Sequence, residues 1–271
     1  MKPIVKWVGG KTQLLDKIKE KFPESFNTYY EPFLGGAAVL LDLNFTKSVV
    51  NDINPELINM YRQVRDHVDD VIDQLTRLDS CHEEYSDQKD FYYIVRDYFN
   101  TELGSNTPEQ AARFIYLNKH CFNGLYRVNK KGQFNVPFNG KVTGKSFDSD
   151  HLREVSTKLK SVDIRCGDYL DVLEEAKPGD LAFLDSPYCP LNPTSFVDYT
   201  KEGFEYEDHV KLSKLFKDLT SRGCKCMLTN HDTPLIRELY KDYNIEVVDV
   251  RRSINRNGND RTGKEVIITN Y

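Results

Sequence analysis

The chain lacks several features that would assign it to a class at once. No apolar run in its 271 residues approaches the ~20 residues that a membrane-spanning helix needs, and the first residues hold no apolar stretch typical of a signal peptide. Internal repeats, low-complexity tracts and linkers rich in proline and serine are absent from the sequence. The six cysteines show no spacing typical of a zinc site. We therefore expect a globular protein of a reducing cytoplasm, with free thiols, no membrane contact and no metal.

Basic residues are scarce in one stretch of the chain and acidic residues in another, although the two kinds are nearly equal in number over the whole chain. With 37 Lys+Arg and 42 Asp+Glu the net charge is −5, and 39% of the residues are hydrophobic, enough to bury a core. Residues 66–110 hold three basic and twelve acidic residues, whereas residues 119–165 hold ten basic and four acidic ones. Residues 251–256 are basic again. A basic stripe can bind a polyanion, but it is also typical of a solvated surface.

The order of predicted elements indicates an α/β fold interrupted by an insertion. Strands are predicted at residues 29–33, 48–52, 162–166, 181–185, 225–230, 245–250 and 265–269, and helices at 12–22, 38–43, 55–64, 171–176, 207–220 and 233–240. This alternation predicts a largely parallel, doubly wound sheet. Residues 65–160 look like an insertion, with helical patterns near 71–78, 91–99 and 111–119. Loops over residues 123–145 follow, with a hairpin near 130–132.

Polar side chains follow several of these strands, where ligands bind in such sheets. Asp52 is suited to ribose hydroxyls and Asp168 to an adenine amine, although Asp52 could equally be a helix cap or a loop acid. The turn around Gly35 could admit a ligand at a helix N-terminus, or be only a tight turn. It lacks the full G-x-G-x-x-G of a dinucleotide site, and the Gly9-Gly10-Lys11-Thr12 segment lacks the first glycine of a P-loop.

The strongest signal is Leu184-Asp185-Ser186-Pro187-Tyr188. An apolar run typical of a buried strand ends in a carboxylate, and a proline turn and an aromatic ring follow it. The carboxylate and a backbone carbonyl can accept both hydrogens of an exocyclic amine, and the Tyr188 ring can stack on a base, worth ~1–3 kcal/mol. A turn with an exposed tyrosine is the alternative. We interpret the segment as a site for a planar substrate that bears an amine.

Together with other blocks in the same order, this turn resembles the Dam-type DNA adenine-N6 methyltransferases over nearly the whole chain. The blocks are residues 6–11 (KWVGGK), 31–36 (EPFLGG), 51–54 (NDIN), 116–118 (YLN), 122–127 (FNGLYR), 132–138 (GQFNVPF), 185–188 (DSPY), 230–233 (NHDT) and 251–254 (RRSI). The resemblance implies a Rossmann-like class I methyltransferase sheet with an inserted, mainly helical DNA-recognition domain. Residues 1–64 and 161–271 would form the catalytic domain, and residues 65–160 the insertion.

The resemblance also implies substrates and residue roles. S-adenosylmethionine would be the methyl donor, and an adenine in double-stranded DNA, usually within GATC, the acceptor. Asp185, Ser186, Pro187 and Tyr188 would form the catalytic turn that holds a flipped-out adenine. The donor would be bound by Trp7, Lys11, Phe33, Gly35, Asp52, Asp168 and Asp185. The DNA would be contacted by Lys6, Phe122, Asn123, Leu125 and Arg127. The expected setting is the nucleoid of a bacterial or phage-infected cell, with the oligomeric state left open.

Two departures from the family pattern keep alternatives open. Ser186 stands where the family has a proline, which makes the turn less rigid, and the glycine block ends in Ala37 rather than glycine. A DNA-binding homologue with impaired catalysis, with Ser186 as the lesion, is therefore one alternative. Methylation of cytosine N4 is another, because the same turn serves exocyclic amines generally. A nicotinamide-dependent oxidoreductase or a methyltransferase acting on protein or RNA fits the motifs less well.

Overall fold

The computed structural model describes residues 1–140, 144–191, 204–251 and 262–271. Within these ranges seven strands form one sheet of order β3-β2-β1-β4-β5-β7-β6. The strands are β1 (Tyr29–Glu31), β2 (Ser48–Asp52), β3 (Val162–Cys166), β4 (Leu181–Leu184), β5 (Lys225–His231), β6 (Asn244–Arg251) and β7 (Thr262–Thr269). The α/β prediction is confirmed, and the predicted bounds of β2 and β3 match the observed ones.

Ten α-helices lie within the described ranges. They are α1 (Leu15–Lys21), α2 (Ala38–Asp42), α3 (Pro55–Asp66), α4 (Val68–Glu84), α5 (Gln88–Thr101), α6 (Pro108–His120), α7 (Ser149–Leu159), α8 (Tyr169–Glu174), α9 (Tyr206–Ser221) and α10 (Pro234–Leu239). Short 3₁₀ turns span Lys11–Gln13 and Phe122–Gly124. None of these helices is long and apolar enough to cross a membrane.

Strand β1 marks the point where the order of the sheet reverses. It pairs in parallel with β2 on one side and with β4 on the other, and β4 pairs in parallel with β5. In open α/β sheets, ligands bind beyond the carboxyl ends of the strands at such a point. The segments that follow β1, β2 and β4 are therefore where a ligand is expected.

The prediction of a largely parallel sheet does not hold for the last strand of the chain. Strand β7 runs antiparallel to both β5 and β6. Only residues 252–261 separate β6 from β7, whereas a parallel crossover needs a dozen or more residues, usually with a helix. The sequence pattern places no helix between these two strands, so the antiparallel pairing follows from the length of the connection.

Two other predictions of local structure differ from the observed elements. The helix predicted over residues 12–22 begins only at Leu15, because a 3₁₀ turn occupies Lys11–Gln13. Helix α7 was not predicted, although Asp148 caps its N-terminus by accepting from two backbone N–H groups and Leu152, Val155 and Leu159 form its buried stripe. The hairpin predicted near 130–132 is confirmed by the antiparallel bridge between Val128 and Phe134.

The chain divides into two compact units. One comprises residues 1–10, 35–44 and 51–167, and the other comprises residues 11–34, 45–50 and 168–271. In the first unit α3 and α4 pack on α6, whose apolar face around Phe114 and Leu117 is buried. In the second unit the wholly buried strand β4 packs with Leu212, Phe216 and Leu219 of α9. Burying each such side chain contributes about 1.5–3 kcal/mol.

Candidate active site

The glycine turn after β1 approaches Trp7 closely. Gly35 has φ +48°, and a Cβ at this position would lie 2.8 Å from Cδ1 of Trp7. Ala37 also has a left-handed conformation, with φ 56°, which costs more for alanine than for glycine. The turn thus requires glycine at position 35, while the alanine that departs from the family pattern adopts the backbone conformation a glycine would favour.

Asp52 is the last residue of β2, and its carboxylate hydrogen-bonds the glycine turn after β1 and the loop before α3. Its Oδ2 accepts from the Gly35 N–H at 2.9 Å, and its Oδ1 accepts from the Asn54 N–H at 3.0 Å. Asn54, rather than Asp52, caps α3. Burial raises the pKa of Asp52, although its backbone hydrogen bonds oppose the shift. Asp52 is therefore a buried loop acid at a strand end, and its carboxylate keeps acceptor capacity.

The surroundings of Asp52 fit the sugar of a nucleoside. A carboxylate has about four acceptor sites, and here the backbone N–H groups of Gly35, Ile53 and Asn54 use three of them, so a ribose hydroxyl can be added without breaking an existing bond. The absence of a side chain at Gly35 lets the turn pack directly against the Trp7 ring. The stacked rings of Trp7 and Tyr126, with centroids 5.6 Å apart, add an aromatic surface within this unit. Trp7, Gly35 and Asp52, predicted as donor residues, are thus brought together.

Phe33 and Asp168, two of the predicted donor residues of the second unit, both adjoin Tyr169. Phe33 contacts Tyr169, with ring centroids 4.9 Å apart. The residue before Tyr169, Asp168, is exposed and caps α8 by accepting from the Leu170 N–H at 2.9 Å. A cap needs only one oxygen of the carboxylate, so Asp168 retains an oxygen that can accept from an amine.

Asp185 follows β4 and is held through a single oxygen. The ammonium of Lys11 lies 2.7 Å from Oδ1, and the hydroxyl of Thr229 donates to the same oxygen at 2.7 Å. Lys11 is buried, with 5% of its side chain exposed. Burial raises the pKa of Asp185, while Lys11 and Thr229 oppose that shift by favouring the carboxylate. Within the described residues both of these contacts fall on Oδ1, which leaves Oδ2 as the oxygen for a substrate amine.

Tyr188 is the aromatic end of the same turn and is held from three directions. The ammonium of Lys11 lies 4.6 Å from the ring centroid, a cation–π distance. The His231 ring meets the tyrosine ring edge-on, with centroids 4.8 Å apart. The phenol donates to Oε2 of Glu265 at 2.9 Å. Burial and the charges of Asp185 and Glu265 raise the pKa of Tyr188, so the phenol stays protonated and acts as a donor.

The backbone of Cys189, at the end of the turn, is hydrogen-bonded to two side chains of β5. The Cys189 N–H donates to Oδ1 of Asn230 at 2.8 Å, and Nδ1 of His231 lies 2.8 Å from the Cys189 carbonyl. Because a carbonyl only accepts, Nδ1 of His231 carries the hydrogen. The 230–233 block belongs to the resemblance, which implied no role for these residues. Their function in this unit is to hold both backbone groups of Cys189.

The predicted DNA-contacting residues lie around the loop after α6. Asn118 on α6 accepts from the Lys6 N–H at 2.8 Å and donates to the carbonyls of Lys6 and Gly124. Asn118 therefore joins the N-terminal segment to the loop that holds Phe122 and Asn123. Phe122 is half exposed, and Asn123 has φ 57°. Leu125 and Arg127 follow in the same loop.

Arg127 is exposed but already has a partner in the hairpin. Its Nε donates to Oδ1 of Asn135 at 2.7 Å. The basic residues 251–256 lie outside the described residues, apart from the backbone of Arg251. Asn118 belongs to the 116–118 block of the resemblance but had no role of its own there, whereas Thr229 and Glu265 belong to none of the blocks. For Thr229 and Glu265 no local signal exists, because each reaches the site through the pairing of distant strands.

An α/β sheet of this order, with a glycine turn after β1, an acid ending β2 and an acid–aromatic turn after β4, defines a Rossmann-like methyltransferase. Residues 7–254 match the model of the D12 class N6 adenine-specific DNA methyltransferases, and the chain belongs to this family. It is therefore an adenine-specific DNA methyltransferase, as the resemblance predicted. Family membership assigns the acceptor base and removes cytosine N4 as the alternative.

Curated relatives align over the full chain. The chain is 41% identical to the Type II methyltransferase M1.LlaDCHI of Lactococcus lactis subsp. cremoris, with 100% of this chain and 96% of the relative covered. It is 42% identical to the Type II methyltransferase M.MjaIII of Methanocaldococcus jannaschii, with 100% and 99% covered. It is 35% identical to a DNA adenine methylase of Haemophilus influenzae, with 98% and 92% covered. These relatives support the family and its reaction class.

Proposed function

We propose that this enzyme transfers the methyl group of S-adenosylmethionine to N6 of an adenine within GATC in double-stranded DNA, after that adenine is flipped out of the duplex. The observation that carries the proposal is the catalytic turn. Oδ1 of Asp185 is bound by Lys11 and Thr229, Oδ2 is left for an amine, and the Tyr188 ring follows three residues later. The relatives from Lactococcus lactis, Methanocaldococcus jannaschii and Haemophilus influenzae support a place in the cytoplasm, at the nucleoid.

The turn has a specific task because adenine N6 is a poor nucleophile, its lone pair being delocalised into the ring. Asp185 and the Ser186 carbonyl each accept one hydrogen of the amine, which localises the lone pair on nitrogen as the new bond forms. Tyr188 stacks on the extruded base. When bound, the donor would supply a methyl group on a sulfonium, with a neutral thioether as the leaving group, and the methylated amine would then lose one hydrogen as a proton to solvent. Asp52 holds the donor ribose and Asp168 its adenine, while Phe33, Gly35, Trp7 and Lys11 complete the donor site.

We propose that residues 1–64 and 161–271 perform the transfer and that residues 65–160 recognise the DNA. The basic residues of the insertion contact phosphates, which set the register on the duplex without reading sequence. Lys6, Asn123, Leu125 and Arg127 contact the recognition sequence, and arginine is the usual reader of a guanine edge. Phe122, which is half exposed, fills or wedges the gap left by the flipped base.

Methyl transfer to two short duplexes tests this function. With labelled S-adenosylmethionine, we expect incorporation into a duplex with a central GATC and none into an otherwise identical duplex with GTTC. A GATC duplex already methylated at N6 on both strands is the matched control and should accept no label. Equal labelling of GATC and GTTC would contradict the sequence specificity. No labelling of either, with donor and GATC duplex still bound, would favour the non-catalytic alternative.

A Ser186→Pro substitution is expected to raise turnover. Ser186 is buried, and within the described residues its N–H makes no hydrogen bond that a proline would remove. A proline fixes φ and would hold the carbonyl at position 186 more rigidly toward the amine. We expect kcat at saturating donor and DNA to rise about threefold, because an acceptor carbonyl that is already fixed in position loses less conformational freedom in reaching the transition state. A Ser186→Pro enzyme that is slower than the unsubstituted enzyme would contradict this explanation of the departure.

A further inference from the structure

We propose that Glu265 is a positioning residue for the reaction, acting through the hydroxyl of Tyr188. This inference rests on the proposed function of Tyr188 as the ring that stacks on the target adenine. Glu265 lies on β7, 77 residues beyond the tyrosine in sequence, and its Oε2 accepts the Tyr188 hydroxyl hydrogen at 2.9 Å. No motif of the sequence pointed to this position.

A stacking ring needs its plane fixed, and backbone geometry alone does not fix it. The χ2 torsion of a tyrosine is broad, since it joins a tetrahedral carbon to a planar ring. Tyr188 also follows a turn that contains Ser186 in place of the family proline. Contacts on the ring must therefore define its plane. Lys11 lies over the ring, His231 meets it edge-on, and Glu265 holds its far end.

The position of Glu265 suits this task because its backbone is held on both sides. In β7 it pairs with His231 of β5 and with Val248 of β6. Residues directly opposite one another in an antiparallel pair project to the same face of the sheet. Glu265 and His231 therefore reach Tyr188 from the same face. A ligand-binding ring is most precise when the groups that orient it stand on rigid strands.

The charge of Glu265 makes the bond a strong one. Hydrogen bonds to an ionised acceptor are shorter and about twice as strong as those between neutral groups. Glu265 and Asp185 both raise the pKa of Tyr188, which keeps the donor hydrogen in place. A glutamine at position 265 still offers an oxygen to the phenol, whereas alanine or methionine offers none. Substitutions at position 265 can therefore remove the hydrogen-bond acceptor with or without shortening the side chain.

A double-mutant cycle between positions 265 and 188 tests the proposal. We expect Glu265→Ala to lower kcat on a GATC duplex about tenfold, with the KM for the donor unchanged. Tyr188→Phe keeps the stacking ring but lacks the hydroxyl, and should lower kcat by a similar factor. Because both changes remove the bond between Tyr188 and Glu265, Glu265→Ala should cause little further loss in the Tyr188→Phe background. Glu265→Gln should restore most of the turnover.

Controls separate this proposal from a loss of folding and from a failure of the proposed function. Glu238→Gln, an isosteric change on the exposed face of α10, should leave kcat unchanged. If Glu265→Ala unfolds, Glu265→Met repeats the cycle with a side chain of similar length. Equal losses in the two backgrounds, or a Tyr188→Phe enzyme as fast as the unsubstituted one, would overturn the role of Glu265. An unsubstituted enzyme that methylates no GATC duplex would instead overturn the proposed function.

Discussion

The Asp185→Asn enzyme is expected to lose about 10³-fold in kcat, while its dissociation constant for S-adenosylmethionine stays within about threefold. The amide has nearly the shape of the carboxylate but lacks the charge that localises the amine lone pair. Turnover at saturating donor and GATC duplex, together with donor binding by calorimetry, measures the two quantities. A loss confined to donor binding would contradict the catalytic role of Asp185.

Asparagine is a sharper test at this position than alanine because of Lys11. The ammonium of Lys11 is buried 2.7 Å from Asp185, and removing one partner of a buried pair costs about 3–5 kcal/mol. Asp185→Ala should therefore lower the free energy of unfolding as well as kcat, whereas asparagine keeps an oxygen for Lys11 and Thr229. Asp242→Asn, at an exposed position in the same unit, is the matched control and should change neither turnover nor stability.

The second large effect is expected at Asp52. The Asp52→Asn enzyme should bind S-adenosylmethionine about 30-fold more weakly, because a hydrogen bond to a charged acceptor contributes ~1.5–3 kcal/mol. At saturating donor its kcat should fall much less, since the proposed contact is with the ribose and not with the reacting methyl. Donor affinity by calorimetry and kcat under saturation separate the two effects.

The structural role of Asp52 requires its own control, because the carboxylate also accepts from Gly35 and Asn54. Asn54→Ala removes the side chain that caps α3 but keeps the backbone N–H that Asp52 binds. This change should lower stability by about 1 kcal/mol and leave donor affinity near that of the unsubstituted enzyme. If Asp52→Asn lowers the melting temperature and leaves donor affinity intact, Asp52 only supports the loop.

Local pattern predicted the elements whose signals are contained in a few neighbouring residues. The short apolar run ending in Asp52 predicted β2, and the run through Leu184 predicted β4 and the acid that follows it. Helix α7 carried a comparable signal in Asp148 and the stripe around Val155 but was overlooked. The extent of the N-terminal helix was overestimated because apolar spacing does not distinguish an α-helix from the 3₁₀ turn that precedes it.

The sequence by itself determined the class of this protein. The ordered blocks, with Asp185 and Tyr188 at their centre, indicated an adenine-specific DNA methyltransferase, and family membership confirmed it. The class can be predicted from the sequence because the acid–aromatic turn, the glycine turn and the strand-end acid are each encoded within five or six consecutive residues. The residues that would bind donor and DNA stay predictions, each with a measurable consequence.

Only the tertiary structure decided what holds the proposed catalytic turn, residues 185–188. Lys11 meets Asp185 across 174 positions of sequence, and Thr229 and Glu265 reach the turn from β5 and β7. These contacts depend on strand order and register, which are set by the packing of the whole sheet. A glutamate in a strand pattern has no local property that distinguishes a partner of Tyr188 from a solvated surface residue. The order β5-β7-β6 makes that distinction, because it places Glu265 opposite His231 and beside the ring.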